Sequence, residues 1–180
     1  MVKIHRIASG NVNCYIVADN DNAILIDTGR KKYCEKILGK CKEFHVSLIV
    51  LTHGHMDHCQ NAAYLANALH IPIAMNKKDM NLIPDNRKQY LLAKTLLEKI
   101  VLSISLSSFK KDSLEVFEPI LYLKNGDDLS EYGIAAKVVE LPGHTKGSSV
   151  FRVRTGMLTG TTVFSACKRT PKLDSVFGRF

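Results

Sequence analysis

Apolar residues near the start of the chain fall in short runs, and polar clusters break them at close intervals. Residues 2–8, 14–18 and 23–26 read as strands, with Asn20-Asp21-Asn22 as the hairpin turn between the last two. Asp27-Thr28-Gly29 ends that run. Over residues 31–42 the period changes: Tyr33, Ile37, Leu38 and Cys41 recur near helical spacing, which predicts a helix. Residues 46–51 are almost continuously apolar, the pattern of a strand buried on both faces.

The alternation continues downstream. Ala62, Ala63, Leu65, Ala66 and Leu69 mark an apolar helix face over residues 61–69. Residues 71–75 form a short strand, with Pro72 near its start, where a missing donor is tolerated. A second apolar stripe, through Leu91, Leu92, Leu96 and Ile100, predicts a helix over 87–102, and the Ser- and Lys-rich stretch 103–112 reads as a loop. Later strands are expected over 114–123, 135–141, 148–153 and 157–159. Interleaved strands and helices predict an α/β fold in sandwiched layers. A chain of 180 residues suits one domain with a substantial core.

Composition narrows the function classes. The 46% apolar and 23% charged content is ordinary for a soluble globular protein. No apolar run approaches the roughly 20 residues needed to span a bilayer, and no signal-like apolar region follows Met1, so no membrane partner is expected. Five cysteines, odd in number and without C-x-x-C spacing, fit a reduced, cytoplasmic setting. The net charge of +8 is spread in pairs and triplets such as Arg30-Lys31-Lys32 and Lys110-Lys111. No aromatic-interleaved basic stripe is present, so nucleic acid is not an expected partner.

The chemistry concentrates in His53-Gly54-His55-Met56-Asp57-His58, one residue after the apolar stretch Leu48-Ile49-Val50-Leu51. Three of the chain's 7 histidines and a carboxylate in six positions have no packing rationale, and they are the usual donors for zinc and similar metals. A strand ending in this cluster presents it at a sheet edge, where open α/β sheets bind ligands. A further histidine, His144, stands in the turn Leu141-Pro142-Gly143-His144-Thr145-Lys146-Gly147-Ser148 between two predicted strands. His5, His45 and His70 read as ordinary surface or core residues. Asp27 reads as a turn residue, and Cys59, at the start of an apolar helix, as a packing residue.

Together with Leu25-Ile26-Asp27-Thr28-Gly29 upstream and Leu158-Thr159-Gly160-Thr161 downstream, this order closely resembles the metallo-β-lactamase superfamily, whose signature is H-x-H-x-D-H followed by a distant histidine. The resemblance runs from about residue 3 to the C-terminus and implies an αββα sandwich of two similar halves, with the metal site on one edge. It implies that His53, His55 and His144 hold the first metal ion and that Asp57 and His58 are ligands of the second. A three-histidine site with one open position supplies hydroxide at working pH. Asp57 would orient that hydroxide and shuttle its proton, as the catalytic carboxylate. His55 stands where the family's diiron branch has glutamate, which favours hydrolysis over redox chemistry.

Two departures qualify the resemblance. Thr161 occupies the position of the family's metal-bridging aspartate, and a neutral hydroxyl is a poor metal ligand. The family also continues with a further strand, helix and histidine turn, whereas this chain stops at Phe180 with no histidine after His144. The expected fold is therefore C-terminally incomplete, with an exposed edge that implies one of three things: the chain forms homo-oligomers through it, is marginally stable, or is a shortened form of a longer protein. The donor set implies one complete zinc site and a half-built second, with iron or manganese as alternatives. The implied function is a metal-dependent hydrolase of the glyoxalase II-like or generic branch, acting on a small-molecule substrate. An anionic thioester or other acyl compound suits the basic surface. The alternatives are a catalytically impaired or truncated member and, behind it, a nuclease of the same superfamily.

Overall fold

The computed structural model describes residues 2–84 and 114–153, together with the backbone of the strands Gly156–Leu158 and Val163–Ser165. The first apolar runs form an antiparallel meander of β1 (Lys3–Ser9), β2 (Val12–Asp19) and β3 (Asn22–Ile26), in register from Lys3 opposite Ala18 to Ser9 opposite Val12. Asn20 takes a left-handed conformation at φ 53° in the second turn, which asparagine tolerates better than most residues. Three strands then join in parallel, β4 (Val46–Val50), β5 (Ile73–Asn76) and β6 (Leu121–Leu123), giving a six-stranded sheet in the order β1-β2-β3-β4-β5-β6.

Parallel neighbours need crossovers. A 3-10 turn (Lys31–Tyr33) and helix α1 (Cys34–Cys41) link β3 to β4; α2 (Met56–Cys59) and α3 (Ala62–Leu69) link β4 to β5. A second, antiparallel sheet holds β7 (Ala136–Glu140), β8 (Ser149–Val153), β9 (Gly156–Leu158) and β10 (Val163–Ser165) in the order β10-β9-β8-β7.

Side chains that alternate along each strand divide the interior into two apolar layers. Ile16, Leu25, Ile49 and Met75 pack against Ile37, Leu38 and Cys41 of α1 and Ala62 and Leu65 of α3. Their neighbours Tyr15, Val17, Ile24, Leu48, Val50 and Ala74 face Ala136, Val138, Phe151 and Val153 of the second sheet. Full burial of each large apolar side chain stabilises the fold by about 1.5–3 kcal/mol. The described residues therefore stack as helices on sheet on sheet, the α/β sandwich expected. β4, between β3 and β5, has the two-sided burial that its apolar run predicts.

Several boundaries differ from expectation. The predicted strand over 114–123 contracts to Leu121–Leu123, because Pro119 has no N–H to donate and pairing begins only with Ile120 N to the Ile73 carbonyl, at 3.1 Å. The 71–75 strand shifts to Ile73–Asn76, leaving Pro72 just outside it as an acceptor for Ile49 N at 3.0 Å. β10 was not expected from the sequence. The predicted helix over 87–102, the loop over 103–112 and Thr161 lie outside the described residues. Among the described residues, no helix is long and apolar enough to cross a membrane.

Candidate metal centre

The C-terminal ends of parallel strands β3, β4 and β5 lie along one edge, and each releases polar residues there: Asp27 after β3, Thr52 to His58 after β4, and Asp79 after β5. The second sheet contributes the turn between β7 and β8, which carries His144. Ser149 N donates to the Thr52 carbonyl at 2.8 Å and ties the two sheets together at this point.

The six-residue motif is built in two ways. His55 is in extended backbone, φ −73° and ψ 142°, and its carbonyl accepts from His58 N at 3.0 Å and Cys59 N at 3.1 Å. The motif's second half is thus the helical turn α2 and not a continuous loop. Extended backbone projects the His55 imidazole, His53 lies in the bend just before it, and α2 carries Asp57 and His58.

His53, His55 and His144 come together as a three-imidazole cluster. Their ring centroids are 4.6 Å (His53–His55), 4.8 Å (His53–His144) and 4.5 Å (His55–His144) apart, with the rings near perpendicular. One ligand nitrogen from each lies within 4.8 Å of the others. His53 and His55 are buried and His144 is exposed, so the cluster has a closed back and an open side. The His58 ring is 4.2 Å from that of His53. Asp57, half-buried on α2, is close enough for its charge to act on His58 and His144. Thus five of the sequence-predicted ligands share one edge.

Burial is the main cause of the electrostatics here. It pushes His53 far below its ordinary pKa, with His58, His55 and His144 adding to the shift. Burial, then His144 and His58, lowers His55 to about 3, and His144 is lowered by burial and by His58. Three neutral imidazoles, each with a free lone pair, are the form that binds a metal ion. His58 goes the other way. Burial opposes its charge, but the Asp27 carboxylate, by charge and hydrogen bond, and Asp57 outweigh that and raise its pKa.

Asp27 contributes more than the turn predicted for it. Fully buried, with φ at 58°, it accepts from His58 Nδ1 (2.9 Å) on one oxygen and from Thr52 N (2.8 Å) on the other, while the Thr52 hydroxyl reaches both. A carboxylate only accepts, so that hydroxyl donates to Asp27 and is left to accept from His53 Nδ1–H at 2.9 Å. One carboxylate thereby orients two rings and turns their Nε2 atoms towards the cluster. His53 Nε2 is buried without a hydrogen-bond partner. An orphaned imidazole nitrogen facing two neutral imidazoles is the arrangement expected of a metal ligand, so the residues fit an ion.

The remaining candidates separate cleanly. Cys59 is fully buried in the core and its thiol donates to the His55 carbonyl at 3.0 Å, so it packs, as expected. His5 packs its ring 4.7 Å from that of Phe44, His45 is exposed, and His70 ends α3 in a left-handed conformation. Sequence reasoning missed Asp79, which is buried and accepts from Gly54 N (3.0 Å), Thr145 Oγ1 (2.6 Å) and Gly147 N (2.7 Å). It also missed Asn61, whose side chain does not cap α3 but donates to the Thr28, Gly29 and Arg30 carbonyls behind the site.

A layered α/β sandwich with three imidazoles gathered at the carboxyl edge of its parallel strands is an arrangement that can hold a metal ion. The chain belongs to the metallo-β-lactamase superfamily, whose sequence pattern matches residues 8–172. It is 32% identical over 149 residues to an uncharacterized protein of Aquifex aeolicus, a match covering 82% of this chain and 62% of that protein. It is 27% identical over 150 residues to the hydroxyacylglutathione hydrolase GloC of Haemophilus influenzae, covering 81% of this chain and 63% of that one. Its fold matches a subclass B3 metallo-β-lactamase of Bradyrhizobium japonicum with a TM-score of 0.63 at 16% identity, over 83% of this chain and 53% of that one. The chain thus spans a little over half to under two thirds of the length of these proteins.

Proposed function

We propose that this chain carries the metal site of a zinc-dependent hydrolase acting on a small acyl compound, a thioester foremost. The observation that carries the reading is the cluster of His53, His55 and His144, neutral and within 4.8 Å of one another, with His53 Nε2 buried and unpartnered. These three residues would hold the first ion, and Asp57 and His58 would be ligands of a second. All-nitrogen donors of this kind suit zinc, with iron or manganese as competitors. A bound ion of this type supplies Lewis acidity and brings the pKa of the water it holds towards neutrality.

The chain's own residues supply the rest. Asp27, directly and through Thr52, holds the His58 and His53 rings in one tautomer. The buried flank formed by His53 and His55 keeps bulk water from the rear, and the exposed side at His144 admits substrate. The Asp57 carboxylate takes a proton on an oxygen and returns it to the leaving sulfur or oxygen of the acyl compound. The net charge of +8 favours an anionic substrate. The relative named hydroxyacylglutathione hydrolase supports an acyl compound over a β-lactam or nucleic acid.

The test is metal analysis of the purified chain together with turnover of a model thioester. The reading expects bound zinc, and turnover that falls at least about 100-fold in His55→Ala. Folded protein that binds no zinc overturns it. Zinc bound tightly without turnover overturns the hydrolase and leaves an impaired superfamily member.

A further inference from the structure

Asp79 belongs to no recognisable motif, yet it touches both halves of the proposed metal site. It sits in the 3-10 turn Lys77–Leu82 that follows β5, and Asn76 caps that turn by accepting from Lys78 N at 3.0 Å. With only 1% of its surface exposed, Asp79 receives three hydrogen bonds. Gly54 N, between His53 and His55, donates to Oδ2 at 3.0 Å; on the other side Thr145 Oγ1 donates to Oδ2 at 2.6 Å and Gly147 N to Oδ1 at 2.7 Å. Thr145 directly follows His144.

The two glycines are what allow this approach. A Cβ on Gly147 would lie 2.8 Å from the Asp79 Cγ, and one on Gly54 would lie 3.0 Å from the Asp79 carbonyl oxygen and 3.2 Å from its Cβ. A second set of contacts holds the same turn to the end of β7, which leads into the His144 turn. Glu140 accepts from Asn76 Nδ2 at 2.8 Å and pairs with Lys78 Nζ at 2.5 Å. The backbone therefore closes around one buried carboxylate whose partners come from two separate turns.

We infer that Asp79 is a positioning residue: its carboxylate joins the His53–His55 turn to the His144 turn and sets how closely the third imidazole approaches the first two. This rests on the metal-site reading above. Asp79 contacts no reacting atom; it acts on the site through Gly54 N, the Thr145 hydroxyl and Gly147 N.

The experiment is a chelator-competition titration of zinc on the full chain, for the wild type, Asp79→Asn, His144→Ala and the double variant, with cobalt(II) spectra alongside. An amide at position 79 keeps one acceptor but turns an NH2 towards backbone donors, so one turn is released. Asp79→Asn is expected to weaken zinc binding about 10- to 100-fold. In the His144→Ala background the same change should cost less than about twofold, since there is no third imidazole left to position. The cobalt spectrum of Asp79→Asn should move to that of His144→Ala. Ile16→Val, a core change remote from the site, should lower the melting temperature and leave zinc affinity unchanged.

Wild-type affinity in Asp79→Asn overturns the proposal, as does an equal loss in both backgrounds. So does a loss that Ile16→Val reproduces. If Asp79→Asn does not fold, Thr145→Val removes one donor alone and should weaken binding about fivefold; unchanged affinity there overturns the proposal. A wild-type chain that binds no zinc overturns the metal-site reading and this inference with it. Zinc binding that Asp79→Asn leaves intact overturns only the inference.

Discussion

Thr52 shows how much of this edge depends on one hydroxyl. It donates to Asp27 and accepts from His53 Nδ1, both partners being buried, so the group lies between a carboxylate and a ring that have no water to fall back on. Thr52→Val keeps the shape and removes both bonds. The expected cost is about 1–3 kcal/mol, because a buried imidazole nitrogen loses its partner and a carboxylate loses one donor. A urea unfolding curve with an unchanged slope and a lower midpoint would show it; an unchanged midpoint would mean that the hydroxyl is replaceable by solvent. Threonine at the end of an apolar strand carries no sign of this in the sequence, since its partners Asp27 and His53 meet only once β3 and β4 pair.

At the level of elements, two glycines predict opposite outcomes. Gly39 is exposed on α1, and a Cβ there would meet nothing within 4 Å. Gly39→Ala should therefore stabilise the fold by about 0.5–1 kcal/mol through helix propensity alone, read as a raised thermal midpoint. Gly147→Ala has no such room and should destabilise. The strands and the helix faces at Ile37, Leu38, Ala62 and Leu65 were legible because their periodicity is local. The metal motif was legible because its donors are adjacent. What escaped was non-local. Asp79, in Lys77-Lys78-Asp79-Met80, looks like a solvated charge until β5 carries it beneath both histidine turns. The helical turn at Met56–Cys59 escaped because four residues are too few to show a period. The long strand expected over 114–123 failed at Pro119, where chemistry outweighed an apolar run.

For the molecule as a whole, the open three-imidazole cluster predicts that the ion and the fold stabilise one another. A ligand that binds only the native state adds about 2.7 kcal/mol when present at 100 times its dissociation constant. Stepwise zinc addition should raise the calorimetric melting temperature in a concentration-dependent way, and a chelator should reverse it. A melting temperature indifferent to both would mean that the cluster does not bind zinc in the native state.

The bond from Gly147 N to Asp79 spans 68 residues of sequence, whereas the β1–β2 hairpin closes over a two-residue turn. Loop-closure entropy rises with such a span, by about 0.6 kcal/mol for each doubling of its length, and contacts between distant segments form slowly. The meander can therefore assemble early, while the third imidazole arrives only after the second sheet has docked on the first. Before that docking the chain offers an ion only two of the three clustered imidazoles, so capture by all three requires completed assembly.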